Sequence, residues 1–258
     1  MTEIASHTVA LAEPLETLGP NGRIGLVALA TDLCSESDLR SMLPPGVEIY
    51  TNRVANCNPT TVENLRAMMP DIGRAASGIV PDVDLDAMIY GCTSGTVVNG
   101  EENIIHAMQV ARGNYACTTP ITAVLAAIQT LAVKRVSVLT PYLQSVNAEV
   151  GAYFQGRGLE VLNIAGFDMA SDAEMTQISA DSIYQAAIET CRDDAELLFI
   201  SCTALRSAGV VERLEKELSK PVVTSNQALV WHVLELIGKP YVVSGFGSLF
   251  SHRLPRAI

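Results

Sequence analysis

From Gly22 onward, short β-rich apolar runs alternate with longer stretches of helical period, a pattern that leaves little choice of architecture. Parallel strands joined by crossover helices bury both faces of a sheet, so their strands read as near-continuous apolar runs without strict alternation. The pattern predicts an α/β fold. Strands are expected at Arg23–Leu29, Val47–Asn52, Ala87–Gly91, Tyr115–Cys117, Arg135–Thr140, Leu159–Gly166, Leu197–Ser201, Val222–Thr224 and Tyr241–Ser244. Helices are expected near Glu36–Met42, Pro59–Ala76, Glu101–Arg112, Pro120–Leu131, Tyr142–Arg157, Asp172–Arg192, Ser207–Leu218 and Asn226–Ile237. Ser35-Glu36-Ser37-Asp38 fits a capping box, and Gly238 fits a helix stop before Pro240.

The chain also repeats itself. Asp86-Ala-Met-Ile-Tyr-Gly-Cys92-Thr-Ser-Gly has a counterpart in Glu196-Leu-Leu-Phe-Ile-Ser-Cys202-Thr-Ala-Leu: an acidic residue, an apolar strand, then Cys-Thr. The two cysteines are about 110 residues apart, and Thr119-Pro-Ile-Thr-Ala123 matches Ser225-Asn-Gln-Ala228 at an offset of about 105. Two matches in the same order at nearly the same offset imply a duplicated half and two similar lobes facing each other. No linker rich in Pro, Gly or Ser divides them. The expected division is an N-terminal extension at 1–21, a first lobe at 22–133 joined by the tail 240–258, and a second lobe at 134–239.

With 258 residues, 48% of them hydrophobic and 17% charged, the chain can bury a sizeable core. Seventeen Lys+Arg against 28 Asp+Glu give a net charge of −11, and no basic cluster is hidden in that total. A nucleic-acid partner is therefore not expected. The first twenty-odd residues carry Glu3, Glu13 and Glu16 and lack the positive start and apolar stretch of an export signal. No apolar run approaches the ~20 residues that span a bilayer. The expectation is a cytoplasmic protein without a membrane partner. The six cysteines show no C-x-x-C pairing, and His7, His106, His232 and His252 show no metal spacing, so no bound metal is expected.

Each Cys-Thr pair follows a buried strand and precedes a helix, at the carboxyl edge where open α/β sheets bind ligands. Backbone N–H groups at a helix start can lower a thiol's pKa from ~8.5 toward neutrality and bind a carboxylate oxygen. Reactive thiolates at Cys92 and Cys202 beside an anion site are the expectation. Cys34, Cys57, Cys117 and Cys191 read as small buried apolar residues. Two thiols on opposite lobes of one cleft suit a particular task. One removes a proton from the carbon next to a carboxylate while the other returns a proton to the opposite face. The same pair could instead add one thiolate to an activated double bond, allow rotation and expel it, with the second thiol delivering and reclaiming a proton. Neither route needs a cofactor, and neither G-x-x-x-x-G-K-[ST] nor a G-x-G-x-x-G between a strand and a helix is present, so none is expected. Leu139-Thr-Pro-Tyr142 would place a phenol at a lobe edge, where it could donate to a substrate carboxylate.

The ordered motifs Gly91-Cys92-Thr-Ser-Gly95, Thr140-Pro-Tyr142 and Ser201-Cys202-Thr-Ala-Leu-Arg206 resemble the aspartate/glutamate racemase superfamily, and within it the maleate cis-trans isomerase and arylmalonate decarboxylase branch. The resemblance runs from about Gly22 to Gly238. It implies two Rossmann-like, flavodoxin-like parallel-sheet lobes related by a pseudo-twofold axis, one catalytic cysteine from each lobe in the cleft between them, no cofactor, and a homo-oligomer. Carried over by position, Cys92 and Cys202 match the two catalytic residues. Thr93, Ser94 and Tyr142 match donors to a substrate carboxylate, with Thr203 as the counterpart of Thr93. The decarboxylases have glycine where this chain has Cys92. Maleate isomerases use asparagines where this chain has Asp32 and Asp172, and a carboxylate facing a substrate carboxylate is repulsive. The aspartates would suit an ammonium or amide, unless Asp32 is a turn residue and Asp172 a helix cap. The Cys-Thr-Ser-Gly and Cys-Thr-Ala-Leu-Arg motifs are also similar to the ectoine-utilization member of the branch, whose substrates would carry an amine or acetamide. The leading expectation is a racemase or isomerase of a small carboxylic acid bearing an amino or acylamino group. The alternatives are an arylmalonate-type decarboxylase with Cys202 as proton donor, a maleate isomerase, and a metabolite sensor without catalysis.

Overall fold

The computed structural model describes residues 4–255. The first half contains β1 (Gly22–Leu29), α1 (Ser35–Met42), β2 (Val47–Val54), α2 (Val62–Ala67), α3 (Met69–Ser77), β3 (Ala87–Tyr90), α4 (Thr93–Asn99), α5 (Glu101–Arg112), β4 (Ala116–Thr118) and α6 (Pro120–Thr130). The second contains β5 (Arg135–Thr140), α7 (Gln144–Gly156), β6 (Glu160–Gly166), α8 (Asp172–Gln177), α9 (Ala180–Thr190), β7 (Leu197–Ile200), α10 (Val211–Leu218), β8 (Val222–Thr224) and α11 (Ser225–Leu236). Each half forms one four-stranded parallel sheet, in the orders β2-β1-β3-β4 and β6-β5-β7-β8. The two orders are the same permutation, so the repeat in the sequence is a repeat in the fold.

The central strands are apolar along their whole length because helices cover both faces: every residue of Ala87–Tyr90 and of Leu197–Ile200 is buried. In the second half Phe154 of α7 meets Phe199 of β7 edge to face at 5.7 Å. The halves are joined by more than their linker. The last helix of each, α6 and α11, pack against one another, and α11 also lies on β3 and β4 of the first half. That placement explains α11's composition, since Ser225 through Leu234 are all buried and no face is left for solvent.

Several expectations give way here. Tyr241–Ser244 is not a strand: Tyr241 and Val242 are exposed, and the segment lies between Pro240, which has no N–H to donate, and Gly245, at φ +88°. The tail instead hydrogen-bonds to α10 and α11, through Ser248 N–H to Glu215 (2.7 Å), Gln227 to the Phe246 carbonyl (2.6 Å) and Trp231 to the His252 carbonyl (3.0 Å). The predicted capping box at Ser35 is absent. Ser35 is already helical, and true boxes form at Ser171/Glu174 and Thr224/Gln227. The helix expected over Pro59–Ala76 begins at Val62 and breaks at Met68, ahead of Pro70, and that over Asp172–Arg192 breaks where Ser179 caps α9. Gly238 does end α11, at φ +67° with Lys239 N–H bonded back to Leu234. Cys57 is exposed, against the buried reading, and Cys117 and Cys191 are half-buried. Among the described residues no helix is long and apolar enough to cross a membrane.

Candidate active site

In both sheets the strand order reverses between the first and third strand of the half, β1/β3 and β5/β7. Ligands of open α/β sheets bind outside the carboxyl ends of strands at such a reversal. The predicted residues gather there. Asp32 follows β1, Cys92 follows β3, Tyr142 follows β5 and Cys202 follows β7, while Asp172 opens α8 after β6.

Cys92 is the N-cap of α4, its Sγ accepting the Gly95 N–H at 3.2 Å with Ser94 Oγ at 3.8 Å. Cys202 sits at φ +97°, a conformation a side chain rarely tolerates. Such strain costs about 1–3 kcal/mol and persists where surrounding bonds overdetermine it. Here Cys202 N–H donates to Ser225 Oγ (3.0 Å) and Cys202 Sγ accepts the Ala204 N–H (3.3 Å). Tyr142 Oη lies 3.2 Å from Ser201 Oγ.

The halves are clasped across these loops. Thr93 donates to Ser225 Oγ (2.9 Å), Thr203 to the Gly91 carbonyl (2.9 Å), and Thr60 N–H to the Ala170 carbonyl (2.7 Å). Asn226 donates to the Thr203 carbonyl and to Asp38, both at 3.0 Å. The Thr31 hydroxyl donates to Asp172 and accepts from Asn56 at 2.7 Å. The Thr93 and Thr203 hydroxyls therefore hold the two halves together, and Ser94 and Tyr142 are the side-chain donors set beside the sulfurs. Cys92 and Cys202 are only 4% and 5% exposed.

The two aspartates part company. Asp32 accepts from Cys34 N–H (2.7 Å), Ser35 N–H (2.9 Å) and the Ser35 hydroxyl, so it closes the turn into α1. Asp172 is not a cap, because Ser171 caps α8, and its carboxylate reaches across to Thr31 of the first half.

The thiols are not the low-pKa groups expected from strand-end geometry. Burial, then the Asp172 carboxylate, pushes Cys92 up to about 12, against the lowering effect of the Gly95 N–H and Ser94. Burial and then Asp172 also hold Cys202 well above the ordinary thiol value, with Ala204 N–H lowering it and Cys92 raising it. Tyr142 is raised by burial, then by charge on Cys202 and on Cys92. Charge on Asp172 thus bears on both sulfurs, and charge on both sulfurs bears on the phenol, all of them buried. Asp172 is itself raised, first by burial, and Asp32 adds to that rise.

Thr31, Asn56, Ser225 and Asn226 were not singled out as site residues. The signal for the last two was available, since a polar run from Thr224 to Gln227 opens a helix that is otherwise apolar. A surface cavity of ≈ 620 Å³ opens between α7 and β6 and shares Tyr142 with this site, but neither thiol lines it. The chemistry favours the thiols. Among the described residues no group of three or more His, Cys, Asp or Glu could hold a metal ion.

Residues 95–250 match the family model described as arylmalonate decarboxylase. A maleate isomerase of Nocardia farcinica is 24% identical over 238 residues, covering 88% of this chain and 94% of that protein. A solved structure of Nocardia farcinica maleate cis-trans isomerase, a cysteine-to-serine variant with a covalently bound succinylcysteine intermediate, superposes with TM-score 0.81 at 22% identity, covering 89% of this chain and 98% of the other. The maleate isomerase of Pseudomonas putida S16, as a cysteine-to-alanine variant with maleate, gives TM-score 0.82 at 21% identity over 89% and 97% of the two chains. A liganded arylmalonate decarboxylase carrying glycine-to-cysteine and cysteine-to-serine changes gives 0.80 at 23%, over 89% and 99%. The likeness to these structures establishes the two-lobed fold.

Proposed function

The chain belongs to the arylmalonate decarboxylase family, and from that premise we propose that it is a cofactor-independent isomerase or racemase of a small carboxylic acid. The observation that carries the reading is the matched placement of Cys92 and Cys202, each buried at the carboxyl end of the third strand of its half, on loops hydrogen-bonded to one another through Thr203 and the Gly91 carbonyl. In a racemisation one sulfur, as thiolate, takes the α-proton and the electron pair moves into the carboxylate as an enediolate. The opposite thiol then protonates the other face of that carbon, and the two sulfurs exchange protonation states. In a cis-trans isomerisation the thiolate adds to one alkene carbon and the other thiol protonates its neighbour. Rotation about the resulting single bond, followed by reversal of both steps, returns the proton. The maleate isomerase activity of the Nocardia relative and the succinylcysteine intermediate of its solved variant support the addition route.

We further infer that the substrate carries an ammonium or acylamino group. Asp172 is 5% exposed and is bonded to the Thr31 hydroxyl, a neutral partner. After burial it is the leading influence holding both thiols protonated. An ammonium against Asp172 would cancel that charge and release a thiolate, whereas a second substrate carboxylate would meet repulsion. The amine-bearing products of ectoine ring opening, to which the sequence resemblance points, fall in this class.

The test is a panel of small amino, acylamino and dicarboxylic acids incubated with the protein in deuterated water, followed by mass and chirality analysis. The proposal predicts interconversion of one member with deuterium at the reacting carbon and no carbon lost. Loss of carbon dioxide would assign the chain to decarboxylation, and binding without chemistry would make it a sensor; either result overturns the proposal.

A further inference from the structure

Strand β3 ends in Tyr90, two residues before Cys92, and its phenol is wholly buried. A buried hydroxyl almost always finds a partner, yet among the described residues Tyr90 Oη makes no hydrogen bond in the resting structure. The phenol lies against Gly95 on α4. A Cβ added at Gly95 would stand 2.7 Å from Tyr90 Oη, 2.9 Å from Cys92 Sγ and 3.1 Å from Met68 Cε. The phenol and the sulfur therefore converge on one small space, which is open only because residue 95 has no side chain. The same glycine supplies the N–H that Cys92 Sγ accepts.

We propose that Tyr90 is a positioning residue for the reaction, its phenol poised to donate a hydrogen bond to Cys92 when that sulfur becomes a thiolate. A thiol is a weak acceptor, so an unpaired phenol beside it gains little, whereas a thiolate is a strong one and pairing then favours ionisation. The arrangement gives each sulfur a phenol, Tyr90 for Cys92 and Tyr142 for Cys202. Burial, followed by charge on Cys92 and a hydrogen bond to that charged sulfur, keeps the Tyr90 phenol well above its ordinary value, so it retains its proton and serves as a donor. The titratable groups that act on Cys92 from the other elements, Asp172, Asp32, Cys202 and Tyr142, are all acids. Tyr90 and the Gly95 N–H are thus donors that work against them. The inference rests on Cys92 having to ionise, as the proposed function requires.

Alkylation of Cys92 by iodoacetamide, followed against pH by peptide-resolved mass spectrometry, tests it without any substrate. In Tyr90→Phe the Cys92 profile should move to higher pH by about one unit, a roughly tenfold slower reaction at a fixed pH below the midpoint, while the Cys202 profile moves much less and not in step with it. Replacing Tyr90 with 3-fluorotyrosine, a more acidic phenol of nearly the same shape, should move the Cys92 profile the other way and serves if Tyr90→Phe folds poorly. An unmoved Cys92 profile in a folded variant, or equal shifts at both cysteines, overturns the role of Tyr90. Because alkylation reads the thiol directly, that failure is distinct from a failure to find turnover.

Discussion

The backbone at Cys202 is held at φ +97°, which a sulfur-bearing residue adopts here because Ser225 fixes its N–H and Ala204 its Sγ. Strain of this kind collects at sites where a side chain must be aimed. Asp172 is a second site residue whose placement works against stability, as a carboxylate shut away from water and raised by burial. The linkage has a definite sign. The folded state binds the Asp172 proton more tightly than the unfolded chain, whose pKa is ~3.9, so stability falls as pH rises through the window above that value. Asp172→Asn should therefore melt higher than the parent at neutral pH and lose that advantage below about pH 4, as thermal unfolding across pH will show. The same substitution should weaken binding of an amine-bearing acid by about tenfold and favour a dicarboxylate, measured by calorimetry. Equal melting at all pH values would mean that Asp172 is solvated. The positions of both cysteines and Tyr142 after buried strands were legible from the sequence, because each follows an apolar run. The protonation state of the thiols was not, because it depends on how much protein closes over them.

Among the elements, the eight observed strands were visible as apolar runs, whereas α4 was not, since Thr-Ser-Gly-Thr-Val-Val-Asn carries neither an apolar stripe nor strong helix formers. It is held instead by Cys92 as its cap and by burial of Thr93 through Val97. The ninth predicted strand failed because both sheets are already complete at four strands and the tail has hydrogen-bond partners on α10 and α11. Contacts between elements of the two halves leave no trace in a one-dimensional pattern. The clearest is Glu101 at the start of α5, which accepts from Thr122 of α6 (2.7 Å) and from Tyr153 of α7 (2.9 Å), and pairs with Arg157 (2.6 Å). Glu101→Ala removes a nearly buried acceptor for all three, and a loss of about 1–3 kcal/mol is expected in urea unfolding. A change below about 0.5 kcal/mol would mean that this latch does not couple the halves.

On the scale of the molecule, a duplicated half gives two identical strand permutations, and each cysteine follows the strand at which its order reverses. Hydrogen bonds from Thr31 to Asp172, Thr93 to Ser225, Thr203 to Gly91 and Asn226 to Asp38 then tie the loops of the two halves together. The duplication was readable from the paired Cys-Thr motifs, and the interlocking of α6 with α11 was not. The arrangement commits both thiols to one substrate. The decisive measurement is interconversion of the substrate by Cys92→Ala and Cys202→Ala, each checked for native circular dichroism. Each variant should lose at least about 10²-fold in turnover, the usual contribution of a positioned acid or base. Full turnover by either folded variant would contradict a mechanism that requires both sulfurs.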